Sequence, residues 1–234
     1  MKKILFSLLF SLAAQAQPIV IDAPVEHIYI PMGFDSNDSV EVIVTGYFPN
    51  ACYSRNDVKV KVSGEFVNID ITALAPPPER SNKLFCADIA IPFKEVISLG
   101  NLQGGEYKVR INNASPYRLE QTLQVAEARS NAVDDNIYAA IEWVEDKGNG
   151  NFLLHGWKYS ECFALDQVKV MSNGLDTLSV LPVMKELGTF CPMKGKPVAY
   201  PVKLNFSKLK MKRPLIHVRT MDGKSVNSII DLQG

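Results

Sequence analysis

Gly46-Tyr47-Phe48-Pro49-Asn50-Ala51-Cys52 and Gly156-Trp157-Lys158-Tyr159-Ser160-Glu161-Cys162 share a glycine, an aromatic residue directly after it, and a cysteine six positions beyond the glycine. Outward from this pair the echo continues. Val58-Lys59-Val60 answers Val168-Lys169-Val170, a second cysteine follows in each half at Cys86 and Cys191, and Val109-Arg110 answers Val218-Arg219. The ends carry Ile28-Tyr29 against Ile137-Tyr138 and Leu123-Gln124 against Leu232-Gln233. The offset is 109 or 110 residues at both ends and 105 at the second cysteine. A near-constant offset over so many positions predicts one unit present twice.

Within each half, apolar residues alternate with polar ones or form short β-branched runs, as in Val40-Glu41-Val42-Ile43-Val44, Val58-Lys59-Val60-Lys61-Val62 and Asn68-Ile69-Asp70-Ile71. That period of two belongs to half-buried strands. Tyr107 to Ile111 with Leu119 to Val125 closes the first half as a hairpin. Ile216 to Thr220, a turn at Met221-Asp222-Gly223, and Ser228 to Leu232 close the second. Gly148-Asn149-Gly150 reads as a turn between Ile137 to Val144 and Phe152 to His155. About seven short strands per half is the pattern of a sandwich. The expectation is all-β: two tandem immunoglobulin-like β-sandwich domains at 17–126 and 137–234, each with one internal disulfide. The polar stretch 127–136 would be a short linker joining them end to end.

Residues 1–16 read as a secretory signal peptide: Lys2-Lys3, an apolar run from Ile4 to Ala14, and a small-residue exit with cleavage after Ala16. The run is too short for the roughly 20 apolar residues of a spanning helix, so no transmembrane anchor is expected. Export implies a periplasmic or extracellular, bacterial location and an oxidising compartment. If each unit folds separately, Cys52 pairs with Cys86 and Cys162 with Cys191.

The whole chain balances 25 basic against 25 acidic residues, which offers no global attraction for nucleic acid. Between Lys194 and Lys224, however, nine basic residues face the single acid Asp222, and Lys208, Lys210, Lys212 and Arg213 form its densest part. Two readings compete there: a rim that attracts anionic envelope components, and lysines guarding an exposed strand edge.

Alternation puts Thr45 and Tyr47, matched by His155 and Trp157, on one face of their strands. If that face meets solvent, Trp157 with His155 and Tyr159 makes an aromatic platform that stacks on sugars or anchors a protein. The competing reading packs Tyr47 and Trp157 on their own disulfides. No CxxC, His-x-x-x-His, GxSxG or phosphate-cradling glycine loop occurs. No metal, cofactor or catalytic residue is therefore expected. The alternatives are a secreted peptidase inhibitor presenting the stiff loop Ala75 to Arg80, and a hydrolase using His155 or His217. The expected partner is a protein or cell-envelope polymer.

The segment from Gly46 to Cys52, with Cys86, Ile91-Pro92-Phe93 and Gly105 to Val109, resembles small β-rich modules of exported bacterial proteins and lipoproteins. The second half keeps the glycine, the aromatic residue and the cysteines, and reads as having lost Pro49 and the Pro-Phe pair. The resemblance implies an extracytoplasmic, disulfide-bonded β-sandwich and carries over no catalytic residues.

Overall fold

A computed structural model describes residues 17–78, 85–132, 134–188, 190–207 and 209–232. The signal-peptide segment, Lys208 and part of the Ala75 to Arg80 loop lie outside the described residues.

The first sandwich holds β1 (Ile19–Asp22), β2 (Val25–Tyr29), β3 (Phe34–Asp35), β4 (Val40–Phe48), β5 (Ser54–Ser63), β6 (Phe66–Ala75), β7 (Ile91–Gly100), β8 (Gly105–Ile111) and β9 (Leu119–Ala126). The second holds β10 (Ile137–Tyr138), β11 (Ala140–Asp146), β12 (Asn151–Ser160), β13 (Phe163–Ser172), β14 (Thr177–Glu186), β15 (Met193–Lys203), β16 (Leu215–Arg219) and β17 (Ser225–Ile229). In the first, a three-stranded sheet β2-β4-β7 faces a six-stranded sheet β1-β6-β8-β9-β3 with β5 beside β6. In the second, β11-β12-β15 faces β10-β14-β16-β17 with β13 beside β14. The protein is all-β with two sandwiches.

Alternation does what it predicts in β4. Val40, Val42 and Val44 enter the first core, where Val67, Ile69, Val109 and Leu123 meet them from the opposite sheet. In the second core Phe152 and Leu154 meet Leu178, Val180, Ile216 and Val218. Each sandwich is closed by its own bridge, Cys52 to Cys86 and Cys162 to Cys191.

The two sandwiches do not join end to end as the short linker suggests. The outer face of β2-β4-β7 lies against the outer face of β14-β16-β17, so four sheets stack in one pile. Tyr29, Ile43 and Leu215 form a small buried cluster at the joint, with Met211 and Ile229 packed on it. Ser179 Oγ accepts from Met32 N at 2.7 Å, and Lys94 Nζ donates to Asn227 O at 2.8 Å. This explains why β16, Leu-Ile-His-Val-Arg, is buried at every position: both of its faces are covered.

Three correspondences drawn from sequence also need correction. Ile137–Tyr138 pairs antiparallel with β14 as Ile19–Asp22 pairs with β6, so β10 answers β1, not Ile28-Tyr29. The true counterpart of Val25-Glu26-His27-Ile28 is Ile141-Glu142-Trp143-Val144, because each carries a bulge at its glutamate opposite Gly46 or Gly156. The chain crosses between sheets after β10, which breaks the expected single strand from Ile137 to Val144. At the other end, Val67 lies beside Val109 as Leu178 lies beside Ile216, so Val109 answers Ile216, two residues before Val218. The closing strand accordingly runs over Ser225–Ile229, earlier than expected; Leu232 lies beyond it, and Gln233 lies outside the described residues. Of the Pro-Phe pair the proline alone has a counterpart, since Pro92 pairs with Tyr47 and Pro197 with Trp157 but Val198 follows Pro197, and Tyr159 stands at the place of Pro49.

Candidate functional site

The outer faces of the two three-stranded sheets decide where a ligand could reach. Gly46 and Gly156 set up both faces in the same way. A Cβ on Gly46 would lie 2.2 Å from Pro24 O, and one on Gly156 1.8 Å from Ala140 O, so only glycine lets the bulged neighbour strand approach. The aromatic residue that follows each glycine then points away from the core.

In the first sandwich that face is covered. Tyr47 Oη accepts from Arg213 Nη1 at 3.0 Å, and Tyr29 Oη donates to Arg213 O at 3.0 Å. His27 Nε2 meets Asp176 Oδ2 at 2.8 Å. The tyrosine hydroxyl of Tyr29 is pushed up to about 12 by burial first and by Asp176 second. Tyr47 is thus a joint residue and takes no part in an open platform.

In the second sandwich the same face is uncovered. Trp157 and Tyr159 are 39% and 45% exposed, on alternate positions of β12. The Trp157 and Tyr159 rings flank Gly195 of β15, about which a Cβ would find them 3.8 and 4.0 Å away. His155 stacks on Trp143 with centroids 3.8 Å apart and planes 1° from parallel. Its Nε2 lies 2.8 Å from Glu145 Oε2, so that nitrogen carries the proton. Hydrogen bonds from Lys147 and then His155 hold the Glu145 carboxyl below its ordinary value. At the far end Glu161 joins Lys158 and Lys196, which lower its carboxyl to about 2.

Trp143 was missed by sequence reasoning. The alignment of Glu26 with Glu142 would have revealed it, since the residue after each glutamate points to this face. Beside Trp157 an apolar groove of about 210 Å³ runs between Ile137, Phe163, Met184, Met193 and Met221.

The basic segment is split: Lys194, Lys196 and Lys203 lie on the outer strand β15, where lysines can guard an exposed edge, while Lys210 to Arg213 is a loop. Lys210 N donates to Leu175 O, and Lys210, Lys212 and Arg213 are exposed beside the joint, with Arg213 bound to Tyr47. Pro197 and Pro201 on the same outer strand add to that protection, because they offer no N–H to an incoming strand.

The third histidine cannot reach a ligand. His217 is fully buried in the joint, with Nδ1 2.9 Å from Asn227 Oδ1 and Nε2 without a partner. Burial lowers its pKa, against the opposing pull of Glu41. No group of histidine, cysteine, aspartate or glutamate side chains suited to a metal occurs among the described residues, and no helix there is long and apolar enough to cross a membrane.

Residues 42–125, from β4 to β9 of the first sandwich, match the family described as the ORF11 beta-sandwich domain. No curated protein and no solved structure matches the chain. What the match supports is a β-sandwich domain in the first half, the part whose outer face the second half covers.

Proposed function

We propose that the protein is an exported, non-enzymatic binding module of the cell envelope, built from one duplicated sandwich unit. In this reading the first copy is the mounting and the second presents the ligand face. The observation that carries it is the unequal fate of two equivalent surfaces: Tyr47's face is largely covered by the second sandwich, which leaves a cleft of about 330 Å³ beside Tyr47 and Arg213, while Trp157's face, enriched to Trp143, His155, Trp157 and Tyr159, stays open. Exposed aromatic residues gathered on one rigid face are what a binding surface needs. Two disulfides fit folding in an oxidising compartment, and the leader at residues 1–16 supplies the route out.

Retention of the full exported protein on the envelope fraction of cells that make it, at low and high salt, tests this reading. Binding through the aromatic face survives high salt, whereas binding led by Lys210, Lys212 and Arg213 fades as the Debye length shrinks from about 8 Å. Retention no greater than that of an unrelated exported β protein overturns the reading. A hydrolase centred on His155 is the alternative from another class, since the His155–Glu145 pair resembles a base with its orienting acid. It requires that His155→Ala abolish an activity; the binding reading requires only weaker retention. A buried His217 gives no support to its own version of that alternative, and the peptidase-inhibitor reading gains nothing from a proline loop only partly described.

A further inference from the structure

The open face has a shape, a spacing and a charge balance that narrow its ligand. His155, Trp157 and Tyr159 stand two residues apart along β12. Two residues of strand span about 6.8 Å, so the aromatic rows cover about 14 Å, the length of a few sugar rings. The rows are stiff: His155 is clamped between the Trp143 ring and the Glu145 carboxylate. They are also open, because the residues paired with Trp157 and His155 on β15 are Pro197 and Ala199, too short to rise over the rings.

Both signs of charge stand at the two ends, Glu145 with Lys147 and Glu161 with Lys158 and Lys196, and Lys194 and Lys203 of β15 are exposed beside them. No field of one sign favours a polyanion. The groups are suited to exchanging hydrogen bonds with hydroxyls, while the rings take the apolar C–H faces of a sugar. An extended peptide adding to the sheet edge is disfavoured by Pro197 and Pro201. A second copy stacking as the two sandwiches do would have to bring its free outer sheet, and that face carries Lys108, Arg110, Glu106 and Glu120, which find no matching charges along the strip.

Resting on the binding-module reading above, we propose that Trp143, His155, Trp157 and Tyr159 bind a neutral polysaccharide chain laid along β12. The chain has two tryptophans in all, and both are in this strip, so tryptophan emission reports on it alone.

The test titrates the exported protein with three neutral glycans: cello-oligosaccharides, N-acetylated chito-oligosaccharides and xylo-oligosaccharides. A saturable change in emission with at least one of them is expected. By calorimetry, Trp157→Ala and Trp143→Ala then weaken binding by about tenfold each, while Lys59→Ala on the first sandwich leaves it unchanged. If an alanine variant lowers the thermal midpoint, Trp157→Phe restores the ring and keeps most of the affinity. Unchanged emission with all three glycans overturns the proposal, as does an emission change on dilution that tracks a monomer–dimer equilibrium burying the strip. Envelope retention without any glycan response removes the polysaccharide and leaves the binding module standing.

Discussion

Arg219 of the second sandwich grips Asp38 of the first through both of its terminal nitrogens, and the two side chains are 3% and 2% exposed. Asp134, from the stretch between the sandwiches, takes the same guanidinium at 2.8 Å. Burial alone would lower the Arg219 pKa, but the hydrogen bond and charge of Asp38 outweigh it and raise it. Breaking such a pair strands a buried charge. Asp38→Ala should therefore cost about 3–5 kcal/mol in urea unfolding. Arg219→Met leaves the Asp38 and Asp134 carboxylates together without their cation and should cost at least as much, and a negligible loss from both variants would show that the pair is not acting as a buried ion pair.

His217 makes the joint sensitive to acid. Its folded pKa lies below the ordinary value of 6.5, chiefly through burial, so the unfolded chain binds the proton more readily. Its contribution is complete above about pH 6.5 and declines as pH falls, by at most about 1.4 kcal/mol per pH unit. The charged groups facing it are Glu41 of β4, 3.5 Å away, and Arg219 of its own strand. Asp35 works in the opposite sense: burial, then Asp38 and Asp135, push it up to about 6, so its effect favours the folded state as pH drops through 6. Urea unfolding from pH 7.5 to 4.5 should show His217→Asn flattening the acid loss and Asp35→Asn steepening it. A wild-type curve indistinguishable from that of His217→Asn would refute the role of His217.

Gly46 and Gly156 should tolerate no side chain. Alanine at either would drive a Cβ into the neighbouring carbonyl at 2.2 or 1.8 Å, and overpacking of that kind costs about 1–3 kcal/mol or more. Gly195→Ala is the control, because its nearest atom would be an ordinary 3.8 Å away. Thermal denaturation of the three variants should separate the first two from the third.

The two bridges close similar loops, with sequence separations of 34 and 29. Replacing either pair by serine should lower stability by about 2–4 kcal/mol, and by nearly the same amount for each. Non-reducing peptide mapping of the exported protein should find only these two linkages.

Much of the site was legible before any coordinates. Alternation in β12 put His155, Trp157 and Tyr159 on one face, and alternation in β4 put Tyr47 on the matching face, because side-chain direction in a strand depends only on parity. The bulge hid Trp143, since one extra residue in a strand shifts parity without leaving a mark in composition. The same insertion, with the crossing between β10 and β11, made Ile28-Tyr29 and Ile137-Tyr138 look equivalent when they are not. Which face met solvent was also beyond reach: parity says that Tyr47 and Trp157 both point outward and cannot say what stands outside.

Sequence by itself determined most of the strands and the two cores and, once two separate units are granted, the pairing of the cysteines, because these rest on local period and on contacts within one unit. Only the tertiary structure decided that the two units lie face to face, with Arg219 on Asp38 and His217 sealed between them. The physical reason is range. A strand's pattern records that a residue is buried, but Leu215 and Ile216 look alike whether the apolar surface that covers them belongs to their own sandwich or to the other, 

and that choice was made by charges and carbonyls far apart along the chain and adjacent only once both sandwiches had formed.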